Sequence, residues 1–322
     1  MLSETETVLD RRRLRRHLSF WRVAAIAALV LAAGALVLAR EDASALIGDK
    51  HIARVTIEGT IKEDREQLRM FDKLAEDEKA AGLIVYVNSP GGTSTGGEAI
   101  YQALRKIAAK KPVVAQFGTL AASAGYIVGL GTDYIVARGN TITGSVGVLV
   151  QWPEFSELFE KVGVKVREVK SGELKAAPSP FTPMEEPARQ VTKEMVDESF
   201  AWFVGLVRDR RGIDTASVPG LEKGRIFTGR QAITHKLVDE IGGEEVAVRW
   251  LEDKRGVEKD LKIVDWKPAD PRRFSLLGLT RSFAGDVAQG MIAGAGEALA
   301  NHGGSAAMRL DGLVSVWHPS EN

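Results

Sequence analysis

The chain has 322 residues, with 43 Lys and Arg against 43 Asp and Glu, five histidines and no cysteine. A chain of this length holds one large domain or two modest ones, each with a full core. Balanced charge excludes a global basic field, and the only dense basic stripe is Arg11-Arg12-Arg13-Leu14-Arg15-Arg16, so no nucleic-acid partner is expected. The lack of cysteine excludes disulfides, Cys-type zinc sites and thiol catalysis. The histidines are scattered with no i, i+3 or i, i+4 pair, so no metal or other cofactor is implied.

Residues 1–22 form a basic segment, and Val23 to Ala39 then run without a charge between Arg22 and Arg40. As a helix this run spans about 26 Å, slightly under the ~30 Å hydrocarbon core of a bilayer. Phe20 and Trp21 suit the interface, and the flanking arginines can snorkel outward. Residues 23–40 are therefore expected to be a single transmembrane anchor in contact with lipid. The arginines before it and Glu41-Asp42 after it put the N-terminus in the cytoplasm and the rest outside, at the face of a bacterial inner membrane. A cleaved signal peptide ending near Val37-Leu38-Ala39 is the alternative, although the apolar run exceeds the usual length for one.

From residue 52 the pattern is α/β. Ile52 to Ile57 alternates as a strand, and residues 64–80 place Leu68, Phe71 and Leu74 on one helical face. Leu83 to Val87 is a continuously apolar strand of the kind covered on both faces, followed by an expected turn at Asn88-Ser89-Pro90-Gly91-Gly92. A helix with Ile100, Leu104 and Ile107 on one face comes next, then the strand Val113 to Phe117. A small-residue turn, Gly118 to Gly125, opens another helix, and Tyr134 to Ala137 is a fourth strand. Strands separated by helices imply a largely parallel sheet whose ligands sit beyond the strand carboxyl ends, where both glycine-rich turns fall. Residues 184–211 read as one amphipathic helix, with Thr182-Pro183-Met184-Glu185 as a capping box and Arg211-Gly212 as its end. The exported domain is taken as 41–267. Residues 268–322 are a Gly/Ala-rich extension with no assigned chemistry.

Three features bear on chemistry. Ser89-Pro90-Gly91-Gly92 lets backbone amides approach a developing negative charge, or is an ordinary strand-to-helix turn. Ser123, among Ala121, Ala122, Ala124 and Gly125, has the setting of a nucleophile on a tight turn, or of a helix N-cap. Lys175 precedes the uncharged run Ala176 to Phe181, where removal from water favours the neutral amine of a general base; most lysines are simply solvated. A Ser-Lys pair is one form of the nucleophile-base arrangement.

Taken in order, Asn88-Ser89-Pro90-Gly91-Gly92, Ala122 to Tyr126, Thr143-Gly144-Ser145-Val146-Gly147-Val148, Lys170 to Lys175, Phe227 to Ala232 and Leu237 to Gly243 resemble the bacterial signal peptide peptidases of the SppA type. The resemblance covers about residues 50–245. It implies a crotonase/ClpP-like fold of repeated ββα units and a serine endopeptidase that degrades remnant signal peptides or other hydrophobic peptides. It also implies Ser123 as nucleophile, Lys175 as general base, Ser145 as the group orienting the lysine, and the amides of Gly92 and Ala124 as the oxyanion hole. A homo-oligomer in which a neighbouring subunit lines the site is implied too. Two positions depart from the pattern: Ala124 stands where glycine is usual, and His235-Lys236 precedes Leu237 where glycine is common. The alternatives are a broader envelope quality-control peptidase, a crotonase-type acyl-CoA enzyme, and a catalytically inactive membrane scaffold.

Overall fold

The computed structural model describes residues 49–269, the backbone of Val314–Val316 and, in the N-terminal segment, Trp21, Arg22 and Ala25. Two units divide the chain, Met1–Lys50 and His51–Asn322. In the first, Trp21, Arg22 and Ala25 are helical and exposed. The rest of the expected anchor at 23–40 lies outside the described residues, as does nearly all of the 268–322 extension. No helix among the described residues is long and apolar enough to cross a membrane.

The second unit is built on β1 (His51–Ile61), β2 (Ala80–Thr93), β3 (Val113–Ala122), β4 (Tyr134–Ala137), β5 (Ile142–Gly144), β6 (Ile226–Thr228), β7 (Glu240–Ile241), β8 (Lys262–Trp266) and β9 (Val314–Val316). The central order is β6-β5-β3-β2-β1-β8, with β4 joining β3 to β7 and β9 on β2. All pairings are parallel except β5 with β6 and β2 with β9. The helices are α1 (Arg65–Glu76), α2 (Ser94–Ala108), α3 (Ala124–Leu130), α4 (Ser156–Lys161), α5 (Glu186–Arg211), α6 (Gly229–Thr234) and α7 (Glu244–Arg255).

The period-2 alternation of the strands sorts the core onto two faces. Val55, Ile57, Leu83, Val85, Val87, Ala115 and Phe117 meet α1, α2, α3 and the end of α5 through Phe71, Leu74, Ile100, Leu104, Tyr126 and Phe203. Ile52, Ile84, Val114 and Val136 point the other way, onto Ala247, Trp250 and Leu251 of α7. This double covering accounts for the unbroken apolar run of β2.

Three boundaries differ from the sequence expectation. β2 does not stop at Val87 but runs through Ser89-Pro90-Gly91-Gly92 to Thr93, because Thr60 and Ile61 of β1 pair with Gly91 and Gly92 after a register shift. β3 likewise continues through Gly118–Ala122, since β5 pairs with Leu120, Ala121 and Ala122, and only Ser123 makes the turn. α5 begins at Glu186 with Pro187 in its first turn. Its N-cap Glu185 makes no side-chain cap, so the Thr182–Glu185 capping box does not form and Pro183 precedes the helix. The other end is as expected: Gly212 takes φ 61 and its N–H donates to the carbonyl of Arg208.

Candidate active site

Ser123 sits where β3 becomes α3. It is buried and holds φ 57, ψ −120, a conformation that L residues rarely adopt and that costs on the order of 1–3 kcal/mol. The surrounding structure fixes it there. The Ser123 N–H donates to the carbonyl of Gly144 at 2.8 Å, and the Ser123 carbonyl accepts from Tyr126 and Ile127 in the first turn of α3. A nucleophile on such an elbow has its hydroxyl displayed at the strand end, with the next amide, that of Ala124, at the open start of the helix.

The strand leading to Ser123 is braced from both sides. Between Val87↔Phe117 and Ser89↔Ala121, β3 carries two more residues than β2. This bulge contains Gly118, where a Cβ would fall 2.5 Å from the Tyr86 hydroxyl. The amide of Leu120 donates to Asn88 Oδ1 at 3.2 Å, the Thr141 hydroxyl donates to the carbonyl of Gly118, and the Thr143 hydroxyl to that of Ala121. Sequence reading left the Asn88, Thr141 and Thr143 side chains unassigned. An Asn and two Thr flanking small-residue runs were the available signal.

The ladder of β3 with β5 pairs Ala122 with Gly144, so Ser123 and Ser145 follow at neighbouring strand ends. Ser145 also takes a positive φ, 53, and its N–H donates to the carbonyl of Arg225. Gly144 before it has φ 87 and lies where a Cβ would meet Phe227 and the Arg225 carbonyl. Ser145 is half-buried.

Gly91 and Gly92 come to the same end of the sheet. The buried Ser89 hydroxyl donates to the carbonyl of Gly59 at 2.6 Å and accepts from the N–H of Gly91 at 3.0 Å, fixing the backbone of the glycine pair. Gly91 has φ 117. At Gly92 a Cβ would lie 1.8 Å from the carbonyl oxygen of Ile61, so only glycine fits. Two further glycines bring α3 onto this end: a Cβ at Gly125 would lie 3.0 Å from the Ser89 carbonyl, and one at Gly97 would lie 3.2 Å from Ala124 Cβ. Gly92, Ser123, Ala124 and Ser145 thus converge at the carboxyl ends of β2, β3 and β5. Ser94, the first residue of α2, has a buried hydroxyl with no hydrogen-bond partner.

Lys175 is placed differently. It is exposed, in a turn where its N–H donates to the carbonyl of Gly172, so the single chain does not take it out of water. It belongs to an arm between Val146 and Phe200 that contributes no residue to either core. Within the arm, Phe155 N–H donates to the Pro180 carbonyl and Phe159 stacks on Phe181 at 5.8 Å. A cleft of about 530 Å³ among its residues is lined by Leu174, Ala177, Pro178, Met184 and Pro187, and includes neither Ser123 nor Lys175.

The later motifs act as braces. Thr228 and Gln231 form a reciprocal capping box at the start of α6. Asp239 accepts from the amide of Ile135 and from Arg211 at 2.7 and 2.9 Å, and the Tyr126 hydroxyl donates to the Leu237 carbonyl at 2.8 Å. Complete burial pushes the Tyr126 phenol well above its ordinary range, so it stays a neutral donor. Lys236 occupies φ 59, which explains why glycine suits that position.

The sequence pattern of Peptidase family S49 matches residues 105–258, and that of Clp protease matches residues 53–137. A Synechocystis sp. protein assigned as a protease is 35% identical over 212 residues, covering 66% of this chain and 76% of that protein. An Enterococcus faecium protein assigned as signal peptide peptidase SppA is 34% identical over 235 residues, covering 68% and 67%. The chloroplastic serine protease SPPA of Arabidopsis thaliana is 28% identical over 195 residues, covering 58% of this chain and 28% of that protein.

Proposed function

Because the chain belongs to peptidase family S49, has a ClpP/crotonase-like α/β fold and is a serine peptidase, we propose that it is a membrane-anchored endopeptidase that degrades remnant signal peptides through a Ser123-Lys175 pair. The observation that carries this reading is the elbow at Ser123, held at φ 57 beside Ser145 and the Gly91-Gly92 backbone.

In this mechanism neutral Lys175 Nζ accepts the proton of Ser123 Oγ as the oxygen attacks a peptide carbonyl. The amides of Gly92 and Ala124 hold the oxyanion, each such donor contributing about 2.7–4 kcal/mol to the transition state. The tetrahedral species collapses, the C–N bond breaks, and the ammonium of Lys175 returns the proton to the leaving amine. Water, deprotonated by the same lysine, then attacks the acyl ester and restores Ser123. Ser145 orients the lysine.

An exposed lysine cannot do this alone, and the reading includes a homo-oligomer in which the arm of one copy docks on the next and brings Lys175 to Ser123. Leu149, Phe155, Leu158, Val162, Val164 and Val169 are all exposed on the arm, apolar side chains that a docked partner would cover. The uncharged run Val23 to Ala39 supports the anchor, and with it an extracytoplasmic position for the catalytic unit.

The test is product analysis on a defined signal peptide, comparing the wild-type chain with Ser123→Ala and Lys175→Ala. Internal cleavage by wild type alone is expected. Turnover by Lys175→Ala at the wild-type rate would sink the assignment of the base.

A further inference from the structure

The turn from Pro219 to Arg225 contributes no group to the proposed chemistry, yet it is the support of Ser145. β6 starts at Ile226 and pairs antiparallel with β5, Ile226 with Gly144 and Phe227 with Thr143. Arg225 is therefore set across from Ser145, and its carbonyl accepts the Ser145 N–H at 3.0 Å. The same carbonyl oxygen stands 2.9 Å from where a Cβ on Gly144 would fall, so the Gly144-Ser145 step is seated directly on it. At φ 87 and φ 53 the two residues form a left-handed pair, the second without a glycine's freedom. Such a residue is held against a cost of about 1–3 kcal/mol and persists only where its surroundings over-determine it.

One residue does most of the fixing. Arg225 Nη1 donates to the Pro219 carbonyl at 3.0 Å, its backbone N–H donates to the Gly220 carbonyl at 3.1 Å, and its guanidinium lies 4.7 Å from the centre of the Phe227 ring. That ring is buried and abuts Gly144, where a Cβ would fall 2.8 Å from it. Gly220 takes φ 80, and a Cβ there would lie 3.0 Å from Arg225 Cδ. A planar guanidinium stacks on a ring and donates along its edge at once, which an ammonium does not. We infer that Arg225 is a positioning residue for the general base. By pinning the turn to the Phe227 ring and the Pro219 carbonyl, it fixes the carbonyl that holds Ser145 and so aims the Ser145 hydroxyl at the incoming lysine. The inference rests on the reading of Ser145 as the group that orients Lys175. Arg225 acts through Ser145 and has no part in the proton transfers.

The test compares the full wild-type chain with Arg225→Gln, Ser145→Ala and the double variant. Arg225→Gln is expected to lower kcat by about 10–10²-fold with KM within about twofold of wild type, the scale of a reacting group displaced by about 1 Å. Amide hydrogen exchange at Ser145 should quicken, while that at Tyr126 and Ile127, which donate to the Ser123 carbonyl, stays as in wild type. Because Arg225 acts through Ser145, the double variant should turn over no more slowly than Ser145→Ala alone. Arg225→Lys keeps the charge but not the fork and should recover only part of the loss. Lys223→Gln removes a charge from the same turn, leaves the Arg225 contacts in place and should keep the wild-type kcat. Unchanged exchange at Ser145 in Arg225→Gln overturns the inference and leaves the Ser123-Lys175 reading intact. So does a loss that persists undiminished in the Ser145→Ala background, or one that Lys223→Gln reproduces. If no chain cleaves any peptide yet exchange at Ser145 rises in Arg225→Gln, the peptidase mechanism fails while the clamp on Ser145 stands.

Discussion

The carboxyl end of the sheet and the arm between Val146 and Phe200 follow opposite rules. At the sheet end the site is held by short contacts within the chain: Ser123 by the Gly144 carbonyl, Gly91 by the Ser89 hydroxyl, and Gly92 by a contact that excludes any Cβ. On the arm, Lys175 is exposed among apolar side chains that face water. On the proposed mechanism, nucleophile and oxyanion donors are preorganised in one copy, whereas the base lies on an exposed surface that a partner copy would cover.

The largest effects should come from the chemistry itself. Ser123→Ala is expected to lower kcat by about 10⁶-fold and Lys175→Ala by about 10²–10⁴-fold, both with unchanged thermal unfolding. Equal losses of stability in either variant would mean that the residue holds the fold instead. Next in size is the arm. A Leu158→Glu/Val169→Glu chain places charge on two of its exposed apolar positions. It should sediment as a smaller species and lose most turnover, while its melting temperature as a monomer stays within about 2 °C of wild type, as for other surface changes. Full activity in a monomeric variant would break the comparison between the two regions.

Ser89→Ala probes the rigid side. It leaves the Gly59 carbonyl and the Gly91 N–H without their hydroxyl partner, so the fold should lose about 1–3 kcal/mol. Once the glycine pair can shift, part of one oxyanion contact is lost, and kcat should fall about 10–10²-fold with KM little changed. A pure stability loss with normal kcat would show that the Gly92 amide is positioned by Ile61 alone.

Sequence legibility follows the same division. Apolar alternation marked β1, short apolar runs marked the starts of β2 and β3 and all of β4, and helical spacing marked the core faces of α1 and α2, because burial fixes those elements. The turn residues misled. Ser89-Pro90-Gly91-Gly92 and Gly118–Ala122 have turn composition, yet both are strand, since their glycines serve close approach: Gly92 to Ile61, and Gly118 to Tyr86. The Thr182–Glu185 capping box failed because a second proline, Pro187, offered a start one turn later. The tight turn at Ser123 was legible through its small neighbours. The exposure of Lys175 was not, because an uncharged run reads the same whether it packs in its own chain or waits for another.

The smallest expected effects lie far from the site and separate fold from function. Arg54 bridges Glu244 and Asp265, joining β1 to α7 and β8, and its hydrogen bond holds the Asp265 carboxyl below the usual carboxylate range. A carboxyl depressed in the folded state adds stability that is present above its unfolded value and lost as pH falls through the folded one. The pair is substantially exposed, so the contribution should be under about 1 kcal/mol. Arg54→Gln should therefore flatten the acid limb of the stability curve below about pH 4 and leave neutral-pH turnover unchanged. Ser94→Ala should do the reverse. Its buried hydroxyl has no partner, so removing it should stabilise the fold by about 1 kcal/mol. If that hydroxyl instead serves a peptide lying along Gly91–Thr93, the same change raises KM. A stabilised Ser94→Ala chain with wild-type KM would confine substrate contacts on this edge to the backbone.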